Sequence, residues 1–425
     1  MSTRTASPSS TGPSALAEAL AKLPRVVDLL AARAEEHDRD ATFPYQGVEA
    51  VHEAGLLTLT VGQRYGGPAA TLADTVQVLA ELGRGDASVA LLTAFTLLLH
   101  AEQDRTALWP AGVYRRLLTE SRRGPALVNT VGADPARSLP AADGLPVLAR
   151  RDGGDWLLTG RASGCAGAEA LAWAVVQAVT DEPEPRVGAF LVRGESPGLE
   201  VDPVWEQLGL RAAAGHDLSF TEVPVPAELA LALRPQDAEP GPAAALGTAW
   251  RDLSLAAVQL GVGRAARDWL VGFLSRRTPG NPVGAVAGPV AAPVAGAVVE
   301  PLGTLPRYQA ALGELETALI GAEELLVGLA ARIDAGDQGA VGRTGPAYLL
   351  ATRAVVDSVQ AAVELTGSQG LSRRHPLERH LRDALSGRPH GRCPQTVLEA
   401  AGLAALARAG RPQKPSFQQP VRKQA

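Results

Sequence analysis

The chain has 425 residues and a formal net charge of −5; 46% of the residues are hydrophobic, 20% charged and 4% aromatic. Single hydrophobic cores stop growing near roughly 250–300 residues, so two or three packing units are expected. The mild negative charge gathers no polyphosphate, which argues against nucleic acid as a partner, and the apolar run around Val89 to Leu99 is shorter than the roughly 20 residues a bilayer span needs.

Residues 1–13 carry one Arg and no apolar stretch of signal-peptide type, so they are expected to form a disordered leader. From 14 to 123, apolar residues recur at i, i+3 and i+4, as in Leu16, Leu20 and Leu23 or Val76, Leu79 and Leu82, which predicts a helical domain. Between 124 and 233 the pattern shifts to short β-branched or alternating runs (DWLLTG, AWAVVQAV, VGAFLV, LEVDPV, LSFTEVPVP) separated by Gly, Pro and Asp, the pattern of a β domain. A Pro/Ala-rich linker is expected at 234–245, followed by a second helical domain over 246–409. Within it, TPGNPVGAVAGPVAAPVAGAVVEPLG has too much Gly and Pro for a helix and reads as a long loop, and 410–425 reads as a disordered tail. Cys165 and Cys393 are the only cysteines, too few for a thiolate metal site of CxxC type, so no metal is expected and a reducing cytoplasm suits the chain best.

Three stretches, in this order, resemble the acyl-CoA dehydrogenase family. They are FPYQGVEAVHEAGLLTLTVGQRYGG with ELGRGDASVALL, then WEQLGLRAAAGHDLSFTEVPVP (205–226), then ELTGSQGLSRRHPLERHLRDA (364–384). The resemblance implies a mainly α fold with an N-terminal helical domain, a middle β-barrel or sandwich domain and a C-terminal four-helix bundle. It also implies FAD, or alternatively FMN, between the β domain and the bundle, an acyl-CoA or other small-molecule substrate, an electron acceptor or flavin reductase as partner, and a homodimer or homotetramer. Glu378 with Arg382 and Arg379 with Asp383 are also ordinary i,i+4 helix pairs, and Gly367 and Gly370 also make an ordinary helix stop.

Dehydrogenation of an acyl thioester needs a carboxylate on one face of the substrate and the flavin on the other. Counting forward from Arg382-Asp383, the family's usual base position holds Gly391; its minority position, near the start of the bundle's first long helix, holds Arg251. Asp252 is the neighbouring candidate base, although an adjacent residue on a helix points about 100° away. His390 is the second catalytic candidate, because a His near this place resembles the reduced-flavin monooxygenases of the same fold. For cofactor contact the candidates are Asn129, Thr130 and Ser138 in the β domain, Arg276 toward a diphosphate, and Gly367 and Gly370 at the bundle's turn. The family's aromatic and hydroxyl flavin contacts are replaced here by Ser163, Gly164 and Ala166, which weakens the ring site. The expected function is therefore flavin-dependent CH–CH oxidation of an acyl-CoA or related substrate. A reduced-flavin monooxygenase is the first alternative and a non-catalytic relative the second.

Overall fold

The computed structural model describes residues 14–132, 147–236, 238, 241–278, 300–387 and 390–409; the expected leader, most of the Gly/Pro-rich loop, the tail and Ser138 lie outside them. Helices come first: α1 (Ala15–Asp40), α2 (Tyr45–Glu53), α3 (Leu72–Gly85), α4 (Ala87–Thr106) and α5 (Ala111–Glu120). Strands follow: β1 (Leu127–Val131), β2 (Leu148–Asp152), β3 (Asp155–Cys165), β4 (Leu171–Thr180), β5 (Arg186–Arg193), β6 (Leu199–Asp202), β7 (His216–Val225) and β8 (Ala230–Pro235). The last helices are α6 (Pro242–Arg276), α7 (Pro306–Asp334), α8 (Gln338–Val341), α9 (Thr344–Thr366), α10 (Leu377–Ser386) and α11 (Pro394–Ala409). The connection before α6 is shorter than the expected linker, because β8 pairs with β5 as far as Pro235 and Pro242 already occupies the first turn of α6, where its missing N–H costs nothing.

Local chemistry sets the helix starts. Thr71 and Asp74 form a capping box at α3, and the Asp86 carboxylate accepts from Ser88 and Val89 N–H at the start of α4. The strands form one eight-stranded sheet in the order β6-β7-β3-β2-β4-β5-β8, with β1 added in parallel to β4. Its pairings are antiparallel except β1–β4 and β2–β4. β4 is buried along most of its length, as befits a strand covered on both faces.

In the bundle, Asp252 meets Thr344 and Gly263 lies against Val355, so α6 and α9 run in parallel, while Arg267 with Glu316 and Arg264 with Glu323 make α7 antiparallel to α6. The N-terminal helices are pressed onto this bundle at a backbone-to-backbone crossing. A Cβ on Gly83 would sit 2.5 Å from the Val258 carbonyl oxygen, and one on Gly261 2.4 Å from that of Ala80. Helix α10 ties the three regions together. Arg382 forms a two-pronged ion pair with Asp38 of α1 (2.9 and 2.5 Å), pairs with Glu378 in its own helix, and donates to the Leu208 carbonyl of the β6–β7 connection. Asp383 and Ser386 accept from Leu210 and Gly209 N–H in that same connection. The pair Glu378–Arg382 is thus a local helix pair and a three-way clamp at once.

Candidate functional site

At the junction of the three regions lies a cleft of about 660 Å³, within the size range of small-molecule sites. Helical periodicity supplies two of its walls: Phe95, Leu98, Leu99, Glu102 and Thr106 form one stripe of α4, and Ala244, Gly247, Thr248 and Arg251 one stripe of α6. Sheet residues such as Val175, Gln177, Ala189 and Leu231 form the third, and His390, Gly391 and Arg392 close the opening after α10.

The titratable groups in the cleft are unequal. Burial, and then the neighbouring Arg251 charge, drives the His390 imidazole down to about 4, so it is neutral at pH 7. Asp252 is 2% exposed, and its oxygens are taken up: Oδ1 accepts from Arg392 Nε at 3.2 Å, and Oδ2 accepts from Thr344 Oγ1 at 2.8 Å and from Arg392 Nη2. Asp252 thus lines the cleft as one half of an ion pair with Arg392.

Gly391 has a steric cause. A Cβ there would lie 2.1 Å from Cζ of Tyr348, whose buried hydroxyl donates to the Gly387 carbonyl at 3.0 Å and is pushed up to about 12 by burial. The ring fills the room a longer side chain at 391 would need. Glu102 is exposed to solvent at the cleft, and the enclosing walls raise its carboxyl against the opposing pull of Arg105. The Arg105 guanidinium lies 4.7 Å over the Trp250 ring and that of Arg251 5.1 Å over the Phe95 ring. Glu102, Arg105 and Tyr348 went unnoticed in the sequence. For the first two, the usable signal was the apolar stripe of α4 continuing into charged residues at unbroken spacing.

The structure sorts the sequence candidates into two groups. His390, Asp252, Asn129 and Thr130 all line the cleft; Thr130 is exposed on β1, whereas buried Asn129 spends its amide on the Ala166 carbonyl at 3.0 Å. Arg276, Gly367 and Gly370 sit at the opposite end of the bundle, about 35 Å away at ~1.5 Å per helical residue. Arg276 is exposed in the last turn of α6 and folds back along Gly272. Gly367 ends α9 with φ 60° and ψ −136°, a conformation glycine alone takes readily, and a Cβ on Gly370 would meet Thr366 Oγ1 at 2.4 Å. His216 and Asp217 are committed to structure: His216 Nδ1 accepts from Trp205 N–H, and Asp217 accepts from Arg161 and Gly164 N–H. Both cysteines are free thiols, Cys165 buried and pushed up to about 12. Among the described residues no group of His, Cys, Asp or Glu could hold a metal ion, and no helix is long and apolar enough to cross a membrane.

A helical layer, a β-sheet and a bundle in series, with a ligand-sized cleft at their junction, define the fold class of flavoprotein acyl-CoA dehydrogenases. Residues 25–103 match the family's N-terminal domain and residues 253–392 its C-terminal domain, together more than half the chain, and the chain belongs to the acyl-CoA dehydrogenase family. It is 27% identical over 369 residues to "Putative acyl-CoA dehydrogenase YdbM" of Bacillus subtilis (strain 168), covering 86% of this chain and 91% of that protein. It is 29% identical over 384 residues to L-evernosamine nitrososynthase of Micromonospora sp. (strain ATCC 39149 / NRRL 15099 / SCC 1413), covering 85% of each. Its fold superposes with TM-score 0.74 and 26% identity on KijD3 solved with FMN and dTDP-3-amino-2,3,6-trideoxy-4-keto-3-methyl-D-glucose, covering 94% of this chain and 95% of that one.

Proposed function

We propose that the chain is a flavin-dependent oxidoreductase working as a reduced-flavin monooxygenase on a small molecule. One observation carries this reading: neither family base position holds a carboxylate, since one is Gly391, beside which Tyr348 fills the room, and the other is Arg251, whose neighbour Asp252 is occupied by Arg392 and Thr344, while a neutral His390 stands in the cleft. The likeness to a nitrososynthase and to a structure solved with FMN supports it.

The cleft suits a flavin in volume and in lining, with apolar Phe95, Leu98, Val175 and Leu231 interspersed with the hydroxyl of Thr130 and the amide of Gln177. Asn129 and Thr130 on β1 would hold the ring side. Arg276, Gly367 and Gly370 would reach a dinucleotide only from a second copy of the chain, given the ~35 Å between the two ends of the bundle. The segment Ser163–Ala166 gives little grip, because Gly164 N–H already donates to Asp217 and the Ala166 carbonyl accepts from Asn129. A loosely held flavin is what a reductase-fed enzyme needs. When bound, reduced flavin supplies the two electrons that activate O2. His390 supplies an imidazole nitrogen that is unprotonated at neutral pH and can take up a proton beside the substrate, while the apolar walls exclude water.

A second reading rests on Glu102, a cleft carboxylate with a raised pKa, which could serve as base for dehydrogenation of an acyl thioester. Fluorescence titration of the full chain with oxidised and photoreduced FMN and FAD separates the two. The oxygenase reading expects reduced flavin to bind more tightly than oxidised; oxidised FAD retained through gel filtration would favour the dehydrogenase.

A further inference from the structure

His390 lies in the connection between α10 and α11, with Gly387 before it and Gly391 after it, two residues whose backbones are freer than any other. An imidazole that takes up a proton beside a substrate has to be held within hydrogen-bond reach of it, so this connection needs a restraint. Helix α9 supplies one. The hydroxyl of buried Tyr348 donates to the Gly387 carbonyl at 3.0 Å, and the same carbonyl accepts from His390 N–H at 3.4 Å. The Gly391 N–H acts as a donor to the phenol oxygen, and the Gly391 backbone lies on the ring, where a Cβ would stand 2.1 Å from Cζ. One side chain thus grips the backbone on both sides of His390. Thr344, four residues earlier and on the same face of α9, serves the next stretch of chain. Its Oγ1 donates to Asp252 Oδ2 at 2.8 Å and accepts from Arg392 Nη2 at 3.3 Å, while Arg392 Nε donates to Asp252 Oδ1 at 3.2 Å. Both Thr344 and Asp252 are buried in the bundle, so Arg392 is tied to its interior two residues after His390.

We propose that Tyr348 is the positioning residue of His390, assisted by the Thr344–Asp252–Arg392 contact, and that together they keep the imidazole in the cleft wall. This rests on the reading of His390 as the group that takes up a proton, and it adds the device that holds it there. Asp252 then acts through Arg392 instead of as a base. The hold falls on backbone and on Arg392, which leaves the ring nitrogens of His390 to the cleft it lines. A phenylalanine at 348 would keep the packing surface and lose both hydrogen bonds, so the hydroxyl and the ring can be told apart.

The test is a carbon-13 NMR titration of the full chain labelled at histidine Cε1, from about pH 8 to about pH 5, with the His390 line assigned by its loss in His390→Gln. In the wild type this line should stay flat, since burial, and then the Arg251 charge, holds the imidazole near 4. Tyr348→Phe should admit water to the ring and raise its proton affinity by about tenfold or more, toward the ordinary 6.5, so the line begins to move. The charged groups that share the cleft, Arg251 and Asp252 on α6, Glu102 and Arg105 on α4, Arg234 on β8 and Arg392, are all kept in that variant, so the shift reports release of the ring. The double variant Asp252→Asn with Arg392→Gln removes the second hold without leaving a buried charge alone, and a smaller shift in the same direction is expected. Movement in one variant only assigns the hold to that flank. Buried His100 and His380 should not move in either. A His390 line that stays flat in both variants, or a parallel shift of all three histidines that marks general loosening, would overturn the proposal. The titration needs no flavin, so it is independent of the oxygenase reading. A freed His390 with aerobic reoxidation of photoreduced FMN at the wild-type rate would sustain the hold and remove His390 from the chemistry.

Discussion

The interdomain clamp on α10 and the cleft contain the same residue types, Arg with Asp and Glu, arranged to opposite ends. In the clamp, Arg382 Nε, Nη1 and Nη2 all donate, to Glu378, Asp38 and the Leu208 carbonyl, and its pairing raises its pKa even against burial. In the cleft, Arg105 Nη1 has no hydrogen-bond partner among the described residues, and exposed Arg251 lies 5.1 Å over the Phe95 ring beside the Asp252 charge. Arg382 is engaged at every nitrogen, yet Arg379 Nη1 on the same helix is buried without a hydrogen-bond partner among the described residues, so an open donor does not by itself mark a ligand site.

The clamp and the cleft should differ most in what they contribute to stability. Arg382→Ala leaves Asp38 and Glu378 half-buried without their partner, and should cost about 3–5 kcal/mol in urea denaturation, whereas Arg251→Gln, at an exposed position over the Phe95 ring, should cost no more than about 1 kcal/mol. Similar losses in the two variants would erase the distinction. Catalysis should respond the other way round: His390→Ala should lower turnover by about 10²–10⁴-fold with flavin affinity and melting temperature held, and unchanged turnover would remove His390 from the chemistry. A smaller effect is expected from Gly391→Ala, whose Cβ meets the Tyr348 ring and should cost about 1–3 kcal/mol of stability through forced repacking.

The smallest effect is a pH slope. His390 titrates near 4 in the folded chain against an ordinary 6.5, so between these values the unfolded chain binds more protons and stability falls as the pH is lowered. Buried His100, also near 4, acts in the same direction, while Asp383, raised to about 7 by burial, acts in the opposite one. His390→Gln should therefore reduce the stability lost between pH 7 and pH 5, by on the order of 1 kcal/mol. An identical loss in the variant would show that His390 is not held neutral by burial.

The order of helical, β and helical regions was legible because hydrophobic period is a local property, and the family resemblance rested on short ordered stretches. Partners distant in sequence were not legible. Glu378–Arg382 announced itself as an i,i+4 pair, yet its third member, Asp38, lies at the end of α1, and no local pattern records such a meeting. Gly391 read as an absent base; the cause, Tyr348 on α9, emerges only when α9 and the segment after α10 are brought together. His390 and Asp252 were placed in one cleft by the fold, whereas Arg276, Gly367 and Gly370 were separated from them by the length of the bundle, along which α6 and α9 run side by side, a distance that motif matching does not carry.

The most direct test of the functional account is anaerobic mixing of the flavin-loaded full chain with a panel of acyl-CoA thioesters of increasing chain length, followed at the oxidised flavin band. The band is expected to persist, because no carboxylate stands at either family base position, Gly391 or Arg251. Rapid bleaching by any thioester, abolished in Glu102→Gln, would contradict it and establish dehydrogenation with Glu102 as the base.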